Sequence, residues 1–351
     1  MTALVRNKIQ SAFCQRDSAN PSLLLQKGLL EANQKTGHLE EIVKLPASSE
    51  YKNAFNRWFD LTSDVNGFQQ SVMMLENRLL IGLTGNGALE TGCSLSRNYG
   101  MPYIPGSSVK GVVRAWASGK TLSNVAKATL DDLLGTYDSE QPNRVAGTVT
   151  FHDAWWIPAE GAKPFVLDVV TTHHQEYYNG KKAEPSDKDG PIPNHLLAVQ
   201  GSFLFVIEGD PEHIKLCQSM LNKALESNGI GAKTAAGYGY CKDNTELLER
   251  LIDDSLKRPN LTSKIRAQRE AQKQKAVEEE WSQGISQLTE NKLIQMFSKD
   301  LKKTQERDDL QDLIEKVKQH HCEVIESWKN ETKDSSKNRY KAYQFLKGEQ
   351  E

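Results

Sequence analysis

Apolar positions along the chain follow three successive rhythms. In residues 1–66 they recur at helical spacing. Asn20-Pro21 is a helix start, because a side-chain oxygen precedes a residue whose backbone angle is already helical, and SLLLQKGLLEA follows it. A second amphipathic run, YKNAFNRWFDLTSDV, carries Phe55, Trp58, Phe59 and Leu61 at helical spacing, as a core-facing stripe would.

From Ser71 the rhythm changes. SVMMLENRLLIGLTG, GTVTFHDAWW, PFVLDVVTT and LAVQGSFLFVIEGD read as strands, rich in Val, Thr and aromatic residues. Between them the pattern predicts helices after Ser107, over SNVAKATLDDLLGTY and from Pro211 to about Ser227. Residues 179–194 read as a polar loop. The order strand–helix–strand–strand–helix–strand predicts an α+β domain over residues 67–244, ferredoxin-like with insertions. Its antiparallel sheet is expected to carry helices on one face.

The third rhythm begins at residue 245. Residues 245–351 contain one proline, Pro259, and two glycines, Gly284 and Gly348. They hold 21 Lys and Arg against 21 Asp and Glu, so this stretch is neutral. Three helices are expected here, in TSKIRAQREAQKQKAVEEEW, ENKLIQMFSKDLKK and DLQDLIEKVKQHHCEVIESW. The last two have apolar faces. The first is nearly polar all round, either a solvated linker or a surface for a partner. The expectation is a helical C-terminal extension outside the sheet core, with residues 1–66 as a helical segment associated with the sheet domain.

Composition narrows the chemistry. At 351 residues the chain is long enough for two or three domains, and 38% hydrophobic with 26% charged residues suits a water-soluble fold. The formal net charge is only −2, so a nucleic-acid partner would need a local basic surface. The cysteines, Cys14, Cys93, Cys217, Cys241 and Cys322, show neither a disulfide framework nor zinc-ligand spacing, which fits a reducing cytoplasm. The start MTALVRNKIQSAF has no signal-peptide core, and no apolar run approaches the roughly 20 residues that span a bilayer.

Two segments have the composition of anion-binding elements. In MPYIPGSSVKGVVRAWA, Pro105-Gly106 makes a turn and Ser107 or Ser108 can cap a helix. Lys110 and Arg114, at i and i+4, would then share one face, where free amides and two cations could hold a phosphate. The alternative is an ordinary capped helix with two solvated cations. The second segment, GIGAKTAAGYG, places glycines at 229, 231, 237 and 239 around Lys233 and Thr234. Ala232 precedes the lysine and Ser227 stands where a Walker loop needs its first glycine, so this is no nucleoside-triphosphatase loop. Gly231 and Gly237 would let backbone track a nucleic-acid strand, unless the loop is simply a flexible connection.

Catalytic groupings are weaker. Glu90 in GNGALETG suits a turn hydrogen bond as well as an acid or base. His152 and Asp153 are adjacent in a strand and so point to opposite faces. Asp168 shares a face with His174 only if the strand continues that far, and His173 lies next to it. Ribonuclease chemistry would need such groups within reach of a 2′-hydroxyl. They are expected to be polar structural residues.

Three segments carry a resemblance: GNGALETG with PYIPGSSVKGVVRA, the pair FHDAWW and LDVVTTHH with its loop to PIPNHLLAVQGSFLF, and the closing GIGAKTAAGYG. In that order they resemble the repeat-associated mysterious proteins, the RAMP superfamily of CRISPR systems. The run His174-Gln175-Glu176-Tyr177-Tyr178 and the loop through Pro191 resemble the sixth-subunit family of type III-B (Cmr) effector complexes. The resemblance spans roughly Leu79 to Tyr240. It implies a cytoplasmic, non-catalytic RNA-binding subunit without a cofactor, capping a guide RNA near its 3′ end. Its implied partners are guide RNA, target RNA and the backbone, small helical and capping Cmr subunits. Ser107, Ser108, Lys110, Arg114, Gly231, Lys233, Thr234 and Gly237 become the expected RNA-binding residues. A ribonuclease on the same fold, using Asp168 or His174, and a protein–protein scaffold acting through the C-terminal helices are the alternatives. Incubation with labelled RNA separates the first of these from the leading reading.

Overall fold

The computed structural model describes residues 5, 19–84, 89, 91–119, 127–136, 145–172, 174–259, 261–305, 309–330 and 337–348. The chain divides into two compact units, Met1–Arg269 and Glu270–Glu351. The first opens with helices α1 (Pro21–Lys27), α2 (Lys35–Val43) and α3 (Ser49–Leu61). Asn20 caps α1 by accepting hydrogen bonds from the Ser22 and Leu23 amides at 2.8 and 3.3 Å. Ser48 caps α3 through the Tyr51 amide.

The sheet follows. Its strands are β1 (Phe68–Leu75), β2 (Tyr103–Ile104), β3 (Thr150–Phe151) and β4 (Ala154–Trp156). A separate antiparallel pair, β5 (Phe165–Thr172) and β6 (Ile192–Val199), comes next, then β7 (Ser202–Glu208) and β8 (Cys241–Asp243). Helices α4 (Gly106–Ala117) and α5 (Lys127–Leu134) lie between β2 and β3. A short turn of helix, α6 (Gln175–Tyr178), follows β5, and α7 (Pro211–Ser227) joins β7 to β8. The main sheet runs β2-β4-β7-β1-β8, with β3 also pairing with β7, and its pairings are antiparallel.

Strand β7 explains the layering. All of its residues from Ser202 to Ile207 are buried. Phe203, Phe205 and Ile207 enter a core shared with Val109 and Val113 of α4 and Ile214, Cys217 and Leu221 of α7. The alternate residues Leu204 and Val206 enter a second core with Phe55 and Phe59 of α3. Successive strand residues point to opposite faces, so an unbroken apolar strand needs cover on both. The expectation of helices on one face is therefore corrected: helices cover both.

One apolar run became two strands. LAVQGSFLFVIEGD reads as a single strand, yet β6 and β7 belong to different sheets. Gly201 makes the break, with φ +101°, and a Cβ there would lie 2.8 Å from Trp156 Nε1. The Trp156 indole donates to the Gln200 carbonyl at 2.8 Å, fixing the corner.

The second face of the sheet is completed from beyond residue 244. Helix α8 (Thr245–Leu256) inserts Ile252 into the α3 core. Ser255 Oγ donates to Asp60 Oδ1 at 2.6 Å, and Arg258 contacts both Asp60 oxygens at 2.6 Å. Helix α9 (Ser263–Ser286), expected to be polar all round, buries Arg269 completely. That guanidinium donates to Gln70 Oε1 at 2.7 Å and to the Phe59 carbonyl, and stacks 3.9 Å over the Phe59 ring. Burial pulls it down to about 10, against the opposing charge of Asp60, so it stays charged at neutral pH. The expected boundary at 244/245 is corrected: residues 245–269 belong to the sheet unit, because they satisfy its buried carboxylate and carbonyl groups.

The second unit is helical. After α9 come α10 (Glu290–Ile294), a π-helical turn (Gln295–Lys299), α11 (Leu301–Gln305), α12 (Leu310–His320), α13 (Cys322–Ser327) and α14 (Lys337–Lys347). Leu293, Phe297, Leu313, Val317, Trp328, Tyr343 and Leu346 form its core. The Trp328 indole donates to Glu290 Oε1 at 3.0 Å. No described helix is long and apolar enough to cross a membrane.

This arrangement sets the result of truncation. Ending the chain after Asn244 strips cover from α3 and leaves Asp60 without its cation, a loss of about 3–5 kcal/mol. The product should aggregate, whereas a chain ending after Arg269 stays soluble. Size-exclusion chromatography and urea unfolding of the two truncations check this.

Candidate nucleic-acid interface

The two anion-binding segments resolve differently. Helix α4 begins at Gly106 with Pro105 as its cap residue, and no side chain caps it. The expectation of a Ser107 or Ser108 cap is corrected. Instead Asp153 Oδ1 accepts from the Gly106 amide at 2.8 Å. A carboxylate already occupies the first amide, so the helix start is a poor phosphate seat. Gly106 is required by close approach, since a Cβ would lie 2.1 Å from the Phe151 carbonyl oxygen. Ser107 and Ser108 are exposed.

Lys110 and Arg114 do not present a shared cationic face. Arg114 donates to the Leu134 and Gly135 carbonyls at 2.6 and 2.7 Å and lies 3.8 Å from Asp131. It closes the C-terminal end of α5, where a cation meets orphan carbonyls and the negative end of the helix dipole. Its expected phosphate role is corrected on that ground. Lys110 is half-buried against α7. Burial and the Arg114 charge draw its ammonium below the usual lysine range, with the Cys217 thiol opposing.

The glycine segment is more telling. Gly229, Gly231, Gly237 and Gly239 all have positive φ, and so does Lys233, at +58°. A non-glycine residue in this region is uncommon and costs about 1–3 kcal/mol unless its surroundings enforce it. The Lys233 carbonyl receives the Ala236 and Tyr238 amides, closing a 3-10 turn over Thr234–Ala236. Its own side chain is exposed and makes no ion pair with a described residue. Thr234 is half-buried and its carbonyl accepts from the Gly237 amide at 2.9 Å.

The glycines serve two purposes. A Cβ on Gly231 would lie 2.4 Å from the Leu80 carbonyl oxygen, and one on Gly239 1.9 Å from that of Ile230. These positions let backbone approach backbone, so Gly231 is a packing requirement of the fold. Gly237 has nothing within 4 Å and only its φ of +88° matters. Both glycines are exposed, but only at Gly237 is there open space around a Cβ.

A third element anchors the loop. Tyr238 Oη donates to Asp168 Oδ2 at 3.0 Å, and Arg78 reaches the same oxygen at 3.0 Å. Ala232 and Tyr238 pack with Leu80, Leu196 and Ala198, so the loop, segment 78–83 and the β5–β6 pair form one surface. Arg78 was not visible as a site residue, because nothing in its neighbours NRLL marks a lone arginine as a partner for a carboxylate ninety residues away. Burial raises the Asp168 carboxyl. Hydrogen bonds from Arg78, the Val169 amide and Tyr238, with the Arg78 charge, outweigh this and hold it below the usual range. An ionised, fully bonded carboxylate is a poor proton acceptor at neutral pH.

The histidines are held apart from it. Strand β5 ends at Thr172, so the continuation that would have aligned His174 with Asp168 does not occur. His174 has φ +56° and meets Asp189 at 3.2 Å. Asp189 also binds Lys182 at 2.5 Å and the Ser186 amide, closing the loop between β5 and β6. His152 contacts Glu208 at 2.9 Å and the Trp58 ring edge, while Asp153 turns to α4. His173 and Glu90 lie outside the described residues. Among the described residues no group of three His, Cys, Asp or Glu side chains could hold a metal.

Comparison with known proteins supplies the class. The model of the RAMP superfamily matches residues 74–242, from the end of β1 through the glycine loop to β8. That stretch is just under half of the chain, and over it the chain is similar to that superfamily. The chain is also similar to Cmr6 subunits of CRISPR systems. Cmr6 of Pyrococcus furiosus is 29% identical, with 62% of this chain and 82% of the relative covered. Cmr6 of Saccharolobus solfataricus is 27% identical over 68% of this chain and 86% of its own. Among solved structures, the type III-B Cmr-beta complex bound to cognate target RNA contains a chain matching at TM-score 0.48 and 22% identity, over 60% of this chain and 71% of that one. The crystal structure of Cmr6 from Pyrococcus furiosus matches at TM-score 0.31 and 26% identity, over 50% and 98%.

Two outcomes follow from the geometry. Gly237→Ala should cost about 1–2 kcal/mol, the penalty for a left-handed L-residue, and leave a soluble protein. Gly231→Val, which adds a backbone collision to that penalty, should abolish soluble expression; thermal melts and soluble yield compare them. Asp168 provides a pH signature. A depressed carboxyl stabilises the fold above its unfolded value of about 3.9, and the gain fades as pH falls through the folded value. The stability gap between wild type and Asp168→Asn should therefore shrink below about pH 4, as read by urea unfolding across pH.

Proposed function

We propose that this chain is a non-catalytic RNA-binding subunit of a type III-B Cmr effector complex. In this reading it caps the guide RNA near its 3′ end and contacts the guide–target duplex. Its partners are guide RNA, target RNA and neighbouring Cmr subunits, in the cytoplasm. The kinship with Cmr6 subunits supports the assembly. The strand order also supports a ferredoxin-like reading of the domain: β1, β4, β7 and β8 with α4 and α7 as its two crossovers, and β5–β6 as an insertion.

The observation that carries the RNA role is Lys233. Its backbone is held in a left-handed conformation by a loop that is itself anchored, and its ammonium projects from that loop unpaired among described residues. A chain with net charge −2 gains a phosphate contact where one cation is presented on a fixed frame. Base pairing within the guide–target duplex then reads sequence while protein reads backbone.

The test separates contact from scaffolding. Lys233→Ala should weaken RNA binding by the assembled complex independently of sequence, and reduce the slope of log affinity against log salt by about one. Arg114→Ala should lower stability and leave that slope unchanged. Equal slopes for Lys233→Ala and wild type would remove the phosphate contact. Asp168→Ala and His174→Ala should leave target cleavage by the complex within a few-fold of wild type. A loss of about 100-fold with assembly intact would favour a ribonuclease instead.

A further inference from the structure

A cavity of about 360 Å³ lies beside the start of α4, away from the glycine loop's anchor. Its wall is aromatic. Tyr103 of β2 pairs directly with Trp155 of β4, so both side chains stand on one face of the sheet. Tyr51 of α3 stacks on Trp155 at 5.8 Å and 13°, forming the floor, and Tyr99 tilts against Trp155 at 6.1 Å. Tyr51 spends its hydroxyl on the Trp156 carbonyl at 2.6 Å. The Tyr99 and Tyr103 hydroxyls make no hydrogen bond with a described residue.

The rim is fixed before any ligand arrives. Asn20, having capped α1, also donates to the Arg97 and Asn98 carbonyls at 2.9 and 3.3 Å. The Gly100 amide closes the turn onto the Ser96 carbonyl at 2.7 Å, and Gly100 abuts Pro21 so closely that a Cβ would lie 2.3 Å from its Cδ. This rigid turn carries the exposed Arg97 guanidinium, whose side chain has no partner among described residues. Asp153, also in the lining, accepts from the Gly106 amide through Oδ1, and its other oxygen makes no hydrogen bond with a described residue.

We propose that this cavity holds one unstacked nucleobase of single-stranded RNA, with an amino group on its pairing edge. The inference rests on the RNA-binding reading above and adds a base site to it. Every base has a π-face, and a wall of three aromatic rings offers stacking in a space at the lower end of ligand-pocket size, about 300–1,000 Å³. The charges set the orientation. Asp153 repels a phosphate from the interior, so the phosphate lies outside against Arg97. Its open oxygen accepts from the exocyclic amine of adenine, cytosine or guanine. Uracil offers carbonyl oxygens on both sides of its single pairing N–H, and these face the carboxylate unfavourably.

The experiment uses the full-length protein with hexa-adenylate, hexacytidylate and hexauridylate, by fluorescence anisotropy at several salt concentrations. Wild type should prefer the first two. Tyr103→Ala should weaken them by about 5- to 150-fold without changing the salt slope, since it removes stacking and no charge. Tyr103→Phe should retain most of the binding. Asp153→Asn, which keeps an acceptor for Gly106, should reduce the preference over uridylate. If Tyr103→Ala binds all three like wild type while Lys233→Ala loses affinity, the RNA reading stands and the base pocket is refuted. If wild type binds none of the strands, both fall. Should Tyr103→Ala not fold, saturation-transfer NMR of adenosine monophosphate on wild type decides. Ring-proton transfer that Arg97→Ala weakens supports the pocket, and no transfer to the base protons overturns it.

Discussion

The fold depends on burying β7 on both faces. Phe203, Phe205 and Ile207 point one way, Leu204 and Val206 the other, and neither set can be left in water. One face recruits α4 and α7. The other needs α3 and α8, which arrive from opposite ends of the unit in sequence. Asp60 at the C-terminal end of α3 is then enclosed, and its charge is met by Arg258 and Ser255. Arg269 closes the same corner by reaching Phe59 and Gln70. The limit of the unit at residue 269 thus follows from one strand's composition.

The glycine loop shows how a tightly packed frame presents an exposed cation. Its backbone is pressed against Leu80 and folded on itself at Ile230, so Gly231 and Gly239 are fixed by contact. Tyr238 ties it to Asp168, which Arg78 also holds. Lys233 is left with a left-handed backbone and a side chain that makes no ion pair with a described residue. Arg114 is the contrast: a basic residue at a plausible helical spacing whose charge is consumed by two carbonyls at the end of α5. Cations near a candidate site differ less in kind than in whether the protein has already used them.

Carboxylates divide the surface in the same way. Asp168 and Asp189 each accept several hydrogen bonds, and Asp189 is held down to about 2, first by Lys182, then His174 and the Ser186 amide. Groups so committed organise loops and hold no proton to exchange near neutrality. Asp153 retains one oxygen without a hydrogen bond among the described residues, in a cavity lined also by aromatic rings and by Arg97, which has no described partner. That difference in satisfaction, more than residue type, separates scaffold from recognition surface here.

The sequence by itself determined the local features. The Asn20 cap, the helix Pro211–Ser227, strand β5 and the amphipathic α3 all follow from neighbouring residues acting on one another. The motif order carried the family resemblance for the same reason, since it is a property of the chain read in one dimension. Tertiary structure decided what depends on distant partners. It split the run through Gly201 into two strands, because Trp156 occupies the space a Cβ would need. It placed residues 245–269 in the sheet unit, because Asp60 required a counter-charge. It assigned Arg114 to a helix end and Asp168 to Arg78, twenty and ninety residues away. Propensity and periodicity see a side chain's type, but whether its charge or hydrogen bond is already spent is fixed only when the chain closes on itself.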